Sequence, residues 1–325
     1  MKNDINWKDE FSSLLLSDEQ GFTCLNNAVK LKNTKLQNKK LYRYRSLKTA
    51  DDLARIIHSI RSSTIYCVRR CDLNDPFELR TTLSSKNIKD YIGKNESIKS
   101  SYQSTFPDHF GKETIANAMN NDNWFEEIMK LPFGEKGLDI ANRAVMPEIE
   151  MLNSLFDELF DDARIACFTE HHDNLPMWAH YTDNHKGVCL EYEISSFDKD
   201  VINAIYPVIY ADELHDAVKL GFGQLQKQQL LPTGLMYYHC IQKLKKWEYE
   251  DEWRFVFMPR TKYNKIPSDY QNRGEEIVFG KPSKIILGNK ISYSAEVELR
   301  CIAVEHNVTL TKMKVTPYGL EEDNL

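Results

Sequence analysis

Two short apolar runs on either side of a helix are the feature that most restricts how this chain can fold. The runs Arg164–Thr169 and Gly187–Glu193 have the length and residue content of buried strands. Between them, Asn174 can cap a helix over Leu175–Thr182, with Pro176 in its first turn. Polar and aromatic side chains therefore lie between two strands, which is what the wall of a binding pocket requires.

The remaining pattern predicts an α+β fold rather than a parallel βαβ array. Further strands are predicted at Leu41–Arg45, Thr64–Val68, Ile205–Tyr210, Glu252–Met258, Lys284–Gly288 and Asn307–Val315. Helices are predicted at Thr49–Ser62, over most of Lys219–Lys245 and at Ser292–His306. Because the two kinds of element do not alternate regularly, we expect a mixed or antiparallel central sheet with flanking helices. Pro207 places its strand at an edge of a sheet.

Composition divides the chain into a core, an insertion and two ends. Residues 1–38 are predicted to form a helical N-terminal extension, and residues 39–317 an α+β core domain. Within the core, residues from about 84 to 162 are polar, rich in Asn and Lys and helical in pattern, which indicates a helical insertion. Residues 318–325 are predicted to be a C-terminal tail.

Charge and cysteine content disfavour several classes of protein. The chain carries 42 basic and 48 acidic residues, a net charge of −6, which argues against broad capture of nucleic acid but allows a local basic patch. No apolar run approaches the roughly 18–20 residues of a membrane helix, and the N-terminus lacks the apolar core of a secretion signal. Seven scattered Cys without a CxxC pair indicate reduced thiols, so we expect a cytoplasmic protein without a membrane partner.

The predicted strand Leu41–Arg45 places two tyrosines on one face and two arginines on the other. Because arginine does not lose its charge, an inward-facing Arg45 needs an anion, and a ligand phosphate is the functional interpretation, with Tyr44 beside it. A solvated edge strand is the alternative, since surface arginines are common. Asn74, in the turn that follows the next strand, can face a ligand or satisfy its own backbone.

The helix between the two central strands carries an aromatic ledge. Trp178 and Tyr181 share a face, which His185 joins if the helix continues that far. These rings can stack on a ligand, with His180 as a further contact, or they can be ordinary core residues. A metal site built on the four histidines of Cys167–Glu193 would lack the HExxH arrangement and a clear carboxylate partner, so we expect no metal.

A charged segment near the end of the core, Lys246–Phe255, supplies the candidate catalytic groups. In an extended strand, Glu252 and Arg254 share the face opposite the aromatic residues. Glutamates at two-residue spacing, Glu250 among them, repel one another unless cations or a ligand offset their negative charge. Arg254, Lys246 or an arginine of the first strand can supply that charge. Either glutamate can take a proton or stabilise developing positive charge, and a surface ion-pair network is the alternative.

Taken in order, these motifs resemble a bacterial family known as domain of unknown function 2971. The motifs are LYRYRS, NDPFE, CFTE, NLPMWAHYTDNHKGVCLEY and KKWEYEDEWR, and the resemblance extends from Leu41 to Leu287 outside the polar insertion. Members have Phe where this chain has Leu73, and they often have Ser and Ala where it has Thr169 and Thr182. The resemblance implies an accessory gene of bacteria or phages, in some cases linked to phage defence.

An early strand–helix–strand with an Arg and a late strand with a Glu are similar in layout to ADP-ribosyltransferases that modify DNA and RNA, an analogy at the level of fold. The similarity implies that Arg45 contacts the phosphates of NAD, that Tyr181 or Trp178 stacks on nicotinamide, and that Glu252, or else Glu250, supports transfer. NAD would be the substrate, and a nucleic acid or a protein the acceptor. The alternatives are a non-catalytic module that senses a nucleotide or a phage component, and a metal-dependent nuclease.

Overall fold

The chain divides into two compact units in a computed structural model, which describes residues 6–17, 22–75, 124–130, 163–214, 233–258 and 275–324 and a few isolated positions between 99 and 154. The first unit holds residues 1–79, 161–212 and 232–325. The second holds residues 80–160 and 213–231. Most of the predicted insertion at 84–162 lies outside the described residues, and the domain boundaries inferred from the sequence stay a prediction.

Helices occur in both units. Those that the structure bounds are α1 (Trp7–Leu15), α2 (Phe22–Leu36), α3 (Ala50–Ser62), α4 (Trp124–Met129), α5 (Leu175–Tyr181), α6 (Lys199–Asn203), α7 (Thr233–Cys240) and α8 (Tyr293–His306). Short 3₁₀ helices lie at Arg70–Asp72, Ile194–Ser196 and Lys245–Glu250. Only α4 belongs to the second unit among these helices, and it buries Trp124, Phe125 and Ile128.

Capping side chains set where the best-defined helices begin. Thr49 and Asp52 exchange side-chain and backbone hydrogen bonds in a complete capping box at the start of α3. Asn174 accepts a hydrogen bond from the backbone N–H of Met177 and caps α5. Ser292 caps α8 in the same way. The caps predicted at Thr49 and Asn174 are confirmed, and both follow from short polar side chains placed directly before a helical pattern.

The first unit is built on one large sheet. Its strands are β1 (Lys40–Arg45), β2 (Thr64–Cys67), β3 (Arg164–Thr169), β4 (Val188–Glu193), β5 (Ile205–Pro207), β6 (Ile209–Ala211), β7 (Gln242–Leu244), β8 (Glu252–Phe257), β9 (Glu275–Val278), β10 (Lys284–Leu287), β11 (Thr309–Thr316) and β12 (Gly319–Asn324). The eight-stranded sheet has the order β12-β11-β10-β4-β1-β3-β8-β5. Every neighbouring pair in it is antiparallel except β10 and β11. The predicted α+β class with a mixed, mostly antiparallel sheet is confirmed.

The two faces of the sheet are covered by different helices. The main core packs Leu41 and Phe168 of the sheet with residues of α3 and α8. On the other face, Tyr42 and Tyr44 pack against Trp178 of α5. Neighbouring residues of β1 therefore belong to different clusters, as expected from the alternation of side chains along a strand. The prediction that the two tyrosines share one face is confirmed.

The sheet is incomplete between β1 and β3. These strands pair through one residue pair, Tyr42 with Thr169, whereas β1 pairs with β4 through six. On its other side β3 also pairs fully, through six residue pairs with β8. Because residues 43–45 of β1 have no partner residues on β3, the two strands diverge beyond Tyr42, and space for a cavity opens between them.

The structure corrects two predicted elements near the end of the core. The predicted strand Ile205–Tyr210 is two strands, because the chain leaves the large sheet after Pro207 and β6 pairs with β7 instead. The end of the predicted helix Lys219–Lys245 is also wrong, since Gln242–Leu244 form β7. Pro207 does lie in the edge strand β5. Residues 319–324, within the predicted tail, form β12.

Among the residues that the structure describes, no helix combines the length and the apolar content that crossing a bilayer would need.

Candidate functional site

A cavity of about 250 Å³ opens where β1 and β3 diverge. Residues 42–45 of β1 form one wall, and Ile165, Cys167 and Phe168 of β3 form another. Residues 72–74, in the loop after β2, also contribute. The remaining polar lining comes from α5, β7, the end of the 3₁₀ helix Lys245–Glu250 and the start of β8, all of which belong to the first unit.

A chain of hydrogen bonds runs from the loop after β2 to a buried carboxylate. The Nδ2 atom of the exposed Asn74 donates to the hydroxyl of Tyr181 at 2.9 Å. That hydroxyl donates in turn to Oε1 of Glu250 at 2.6 Å. Glu250 is 2% exposed, and it lines the cavity together with Tyr181.

Lys243 continues the chain into the interior. Its Nζ atom lies 2.6 Å from Oε2 of Glu250 and 2.8 Å from Oε2 of Glu252. Glu252 also accepts from Arg254, with 2.7 Å between Oε1 and Nε. Two carboxylates and two cations thus lie in contact in the interior, and the cations offset the repulsion that the spacing of the glutamates predicts.

The pKa values of the two glutamates are shifted in opposite directions. Burial raises the pKa of Glu250, and the neighbouring Glu252 adds to the rise although Lys243 opposes it. Burial would also raise the pKa of Glu252, but Arg254 and Lys243 outweigh it and hold that pKa well below its usual value. Glu250 is therefore the carboxyl group that can gain a proton, whereas Glu252 stays anionic.

The residue between the glutamates explains how both reach Lys243. Asp251 has a φ of 40°, in the left-handed region that Asp adopts more readily than most residues. Its carboxylate pairs with Nε2 of His171 at 2.7 Å. The hydroxyl of Thr169 donates to the carbonyl of Glu250 at 2.5 Å, a contact that a serine hydroxyl can also make. The 3₁₀ helix before Asp251 leaves Glu248 exposed, so it is Glu250 and Glu252 that meet at Lys243.

Two arginines face the cavity from β1. Arg43 donates to the carbonyl of Tyr66 at 2.7 Å and lies over the ring of Phe168. The side chain of Arg45 has neither a hydrogen-bond nor an ion-pair partner within the described part of the chain. Burial and the nearby Arg43 lower the pKa of Arg45 to about 10, so it remains charged at neutral pH. An unanswered cation in a cavity is a site for an anion.

The structure brings together most of the residues that the sequence singled out. Glu250, Glu252, Tyr44, Arg45, Asn74 and Tyr181 all line the cavity.

Three predicted contacts lie outside the lining. Trp178 is fully buried, donates to the carbonyl of His172 and packs edge-on against Tyr44. His180 is exposed on α5, and Arg254 is fully buried behind Glu252. Of the two aromatic residues of α5 that were predicted to contact a ligand, Trp178 belongs to the core and Tyr181 lines the cavity.

The histidines of the same segment have separate surroundings. Helix α5 ends at Tyr181, and the chain then turns through left-handed residues up to His185, whose ring stacks on Trp178. His172 lies 3.5 Å from Glu322. In the described ranges, no group of three or more His, Cys, Asp or Glu is arranged to hold a metal ion.

Sequence inspection missed Lys243. The sequence pattern places it in a helix and favours Lys246, Arg254 or an arginine of the first strand as the cation that offsets the charge of the glutamates. Arg254 does so, but Lys246 is exposed. The signal was present in the crowding of the glutamates, and what was lacking was the β6–β7 pairing that brings Lys243 to them.

The comparisons with known proteins agree with the motif resemblance over part of the chain. Residues 177–255 match the model of a family, DUF2971, that is described as a protein of unknown function. The matched residues include Tyr181, Lys243, Glu250 and Glu252, but not Arg45. No curated protein and no solved structure is detectably similar to the chain.

Proposed function

We propose that this protein is an enzyme that binds an anionic nucleotide in the cavity between β1 and β3 and uses Glu250 in the reaction. The observation that carries the proposal is that Arg45, whose side chain has no ion-pair partner among the described residues, and Glu250, whose pKa is raised by burial, line the same cavity. An arginine can bind a phosphate, and a buried carboxyl group with a raised pKa is suited to proton transfer.

NAD is the substrate that we propose. At about 250 Å³ the cavity lies just below the roughly 300–1,000 Å³ of typical small-molecule pockets, so it fits one nucleoside half better than a whole dinucleotide. Arg45 would hold phosphate, and Tyr181 would contact the nicotinamide half. Trp178 is omitted from this role because its ring is fully buried.

The chemistry that suits these groups is cleavage of the N-glycosidic bond of NAD. The bond between the ribose and the nicotinamide nitrogen breaks, and its electron pair leaves with neutral nicotinamide. Glu250 and Glu252 stabilise the positive charge that develops on the ribose, an electrostatic effect that is strong in a buried site. The acceptor, water or a group on a nucleic acid or protein, bonds to the ribose carbon and gives its proton to Glu250. A role in conflict with phages, implied by the family resemblance, is part of the proposal.

Nicotinamide release tests the proposal. The purified protein is incubated with NAD, with and without a bacterial lysate as the source of acceptors, and nicotinamide is measured by chromatography. We expect release by the wild type, loss in Glu250→Gln, and retention in Glu248→Gln, a matched change at an exposed position. Absence of nicotinamide release both with and without the lysate would refute the NAD reaction.

A second candidate function is nucleotide sensing without turnover. It is favoured by the fact that both oxygens of Glu250 already accept hydrogen bonds, from Tyr181 and Lys243, and need not be free for a reaction. A sensor would bind ADP-ribose or AMP in calorimetry, lose that binding in Arg45→Gln, and keep it in Glu250→Gln without any product being formed.

A further inference from the structure

We propose that Lys243 is a positioning residue for Glu250, which fixes one oxygen of that carboxylate and sets the pH at which the group takes up a proton. The inference rests on the proposed function only in calling Glu250 catalytic. The link between the two side chains is a property of the free protein and can be measured without any substrate.

Lys243 contacts both glutamates and an aromatic ring. The residue is 3% exposed, and its ammonium group lies between Oε2 of Glu250 and Oε2 of Glu252. The ring of Trp247 stands 4.9 Å from Nζ, so a cation–π contact holds the amine from another side. Glu252 has Arg254 as a second cation, but Glu250 has Lys243 as its one ion-pair partner among the described residues.

The hydrogen bonds also have a fixed direction. Asn74 donates to Tyr181, Tyr181 donates to Glu250, and Lys243 donates to both glutamates. With Lys243 directed at Oε2, Glu250 presents Oε1 to Tyr181 and to the cavity. Replacing Lys243 by a neutral residue removes the opposite charge but leaves Oε1 and its contact in place.

Every charged or titratable group that faces Glu250 has to be considered in the pH argument. Among the described residues, those packed against it or across the cavity are Lys243 of β7, Glu252 and Arg254 of β8, Tyr181 of α5, Tyr210 of β6, the adjacent Tyr249, Tyr42, Arg43, Tyr44 and Arg45 of β1, Cys167 of β3, and Asp72 at the end of the 3₁₀ helix after β2. Of these, Lys243 is the cation in direct contact with Glu250. An opposite charge at such a distance typically lowers the pKa of a carboxyl group by about 1–3 units.

The experiment is a carboxyl titration by infrared difference spectroscopy on the full chain. The C=O stretch of protonated Glu250 is assigned as the band that disappears in Glu250→Gln, and its midpoint is followed against pH. We expect Lys243→Met to raise that midpoint by about 1–3 units. Lys243→Arg, which keeps the charge, should return the midpoint towards the wild-type value.

A second neutral variant guards against a failure to fold. Lys243→Gln can still donate a hydrogen bond to a carboxylate, and we expect the same upward direction from it. An unchanged midpoint in whichever neutral variant folds would overturn the proposal, as would a Lys243→Arg midpoint equal to that of the neutral variant. If the midpoint moves as expected but the wild type neither releases nicotinamide nor binds a nucleotide, the proposed function fails and the role of Lys243 stands.

Discussion

Strand β1 has two neighbours, and it relates to them in opposite ways. Towards β4 it pairs along its whole length, and towards β3 it pairs through the single pair Tyr42 and Thr169. On the fully paired side the backbone groups of both strands are satisfied by the ladder and the strands stay in contact. On the other side the strands part and enclose a cavity. The cavity therefore arises where the pairing of the sheet is interrupted.

A buried glutamate lies on each side of β1, and the two differ in the cations around them. Glu191 is 3% exposed and faces two lysines, Lys40 at 2.9 Å and Lys284 at 3.6 Å. Glu250 is 2% exposed but shares the single Lys243 with Glu252. Burial works to raise the pKa of both groups, and the lysines reverse this for Glu191, whereas the pKa of Glu250 stays raised. The glutamate that contacts two lysines thus has a lowered pKa, and the glutamate that contacts one has a raised pKa.

The largest expected effect is on stability, from Glu252→Gln. The change leaves Arg254 and Lys243 buried without their shared anion, which typically costs about 3–5 kcal/mol. Urea denaturation measures the loss, with Glu248→Gln as the exposed control, expected within about 0.5 kcal/mol of the wild type.

The pH dependence of that loss follows from the direction of the shift. Because the folded-state pKa of Glu252 lies below its ordinary value of 4.5, the stability that it contributes is present above pH 4.5 and is lost as the pH falls below that value. The gap between wild type and Glu252→Gln should narrow on acidification. A gap that is constant with pH would contradict the ionised state assigned to Glu252.

Glu250→Gln should mainly reduce turnover. Removal of a general acid or base typically lowers the rate by about 10²–10⁴-fold. The matched change on the other side of β1, Glu191→Gln, should leave the rate of nicotinamide release unchanged. Equal losses of rate in the two variants would remove the distinction between the two glutamates.

Arg45→Gln should weaken nucleotide binding. A hydrogen bond to a charged group contributes about 1.5–3 kcal/mol, which corresponds to about 10–150-fold in Kd. Folding stability should be unchanged or slightly higher, because Arg43 loses a like-charged neighbour. Calorimetry with ADP-ribose measures the affinity, and Arg61→Gln, on the exposed part of α3, serves as the control.

Glu191→Gln should cost stability at the fully paired side. The carboxylate loses its charge-assisted contacts with Lys40 and Lys284, for which we expect about 2 kcal/mol in urea denaturation. A loss of stability as large as that of Glu252→Gln would mean that the number of lysines in contact with a carboxylate does not distinguish the Glu191 site from the Glu250 site.

The smallest expected effect is that of Tyr181→Phe. It removes the hydroxyl between Asn74 and Glu250 and should lower stability by about 1 kcal/mol. Its effect on nucleotide affinity should be smaller than that of Arg45→Gln, because Tyr181 carries no charge to offer a phosphate.

Local sequence was sufficient for the elements whose boundaries depend on near neighbours. The cap at Thr49, the cap at Asn174 and the strand Arg164–Thr169 all form as predicted, since each depends on residues a few positions away. The β7 strand and the division of Ile205–Tyr210 were not predictable, because each depends on a partner strand that is distant in sequence.

The residue types available to the site follow from the sequence alone: arginines on β1, an aromatic helix face and closely spaced glutamates. Which of these residues come into contact depends on the fold. Trp178 lies fully in the core, whereas Tyr181, one turn later on the same helix, also lines the cavity. Lys243 became the partner of both glutamates, because β6 and β7 pair and Asp251 turns the chain. Proton affinity depends on such contacts, and a linear sequence specifies them only through the fold.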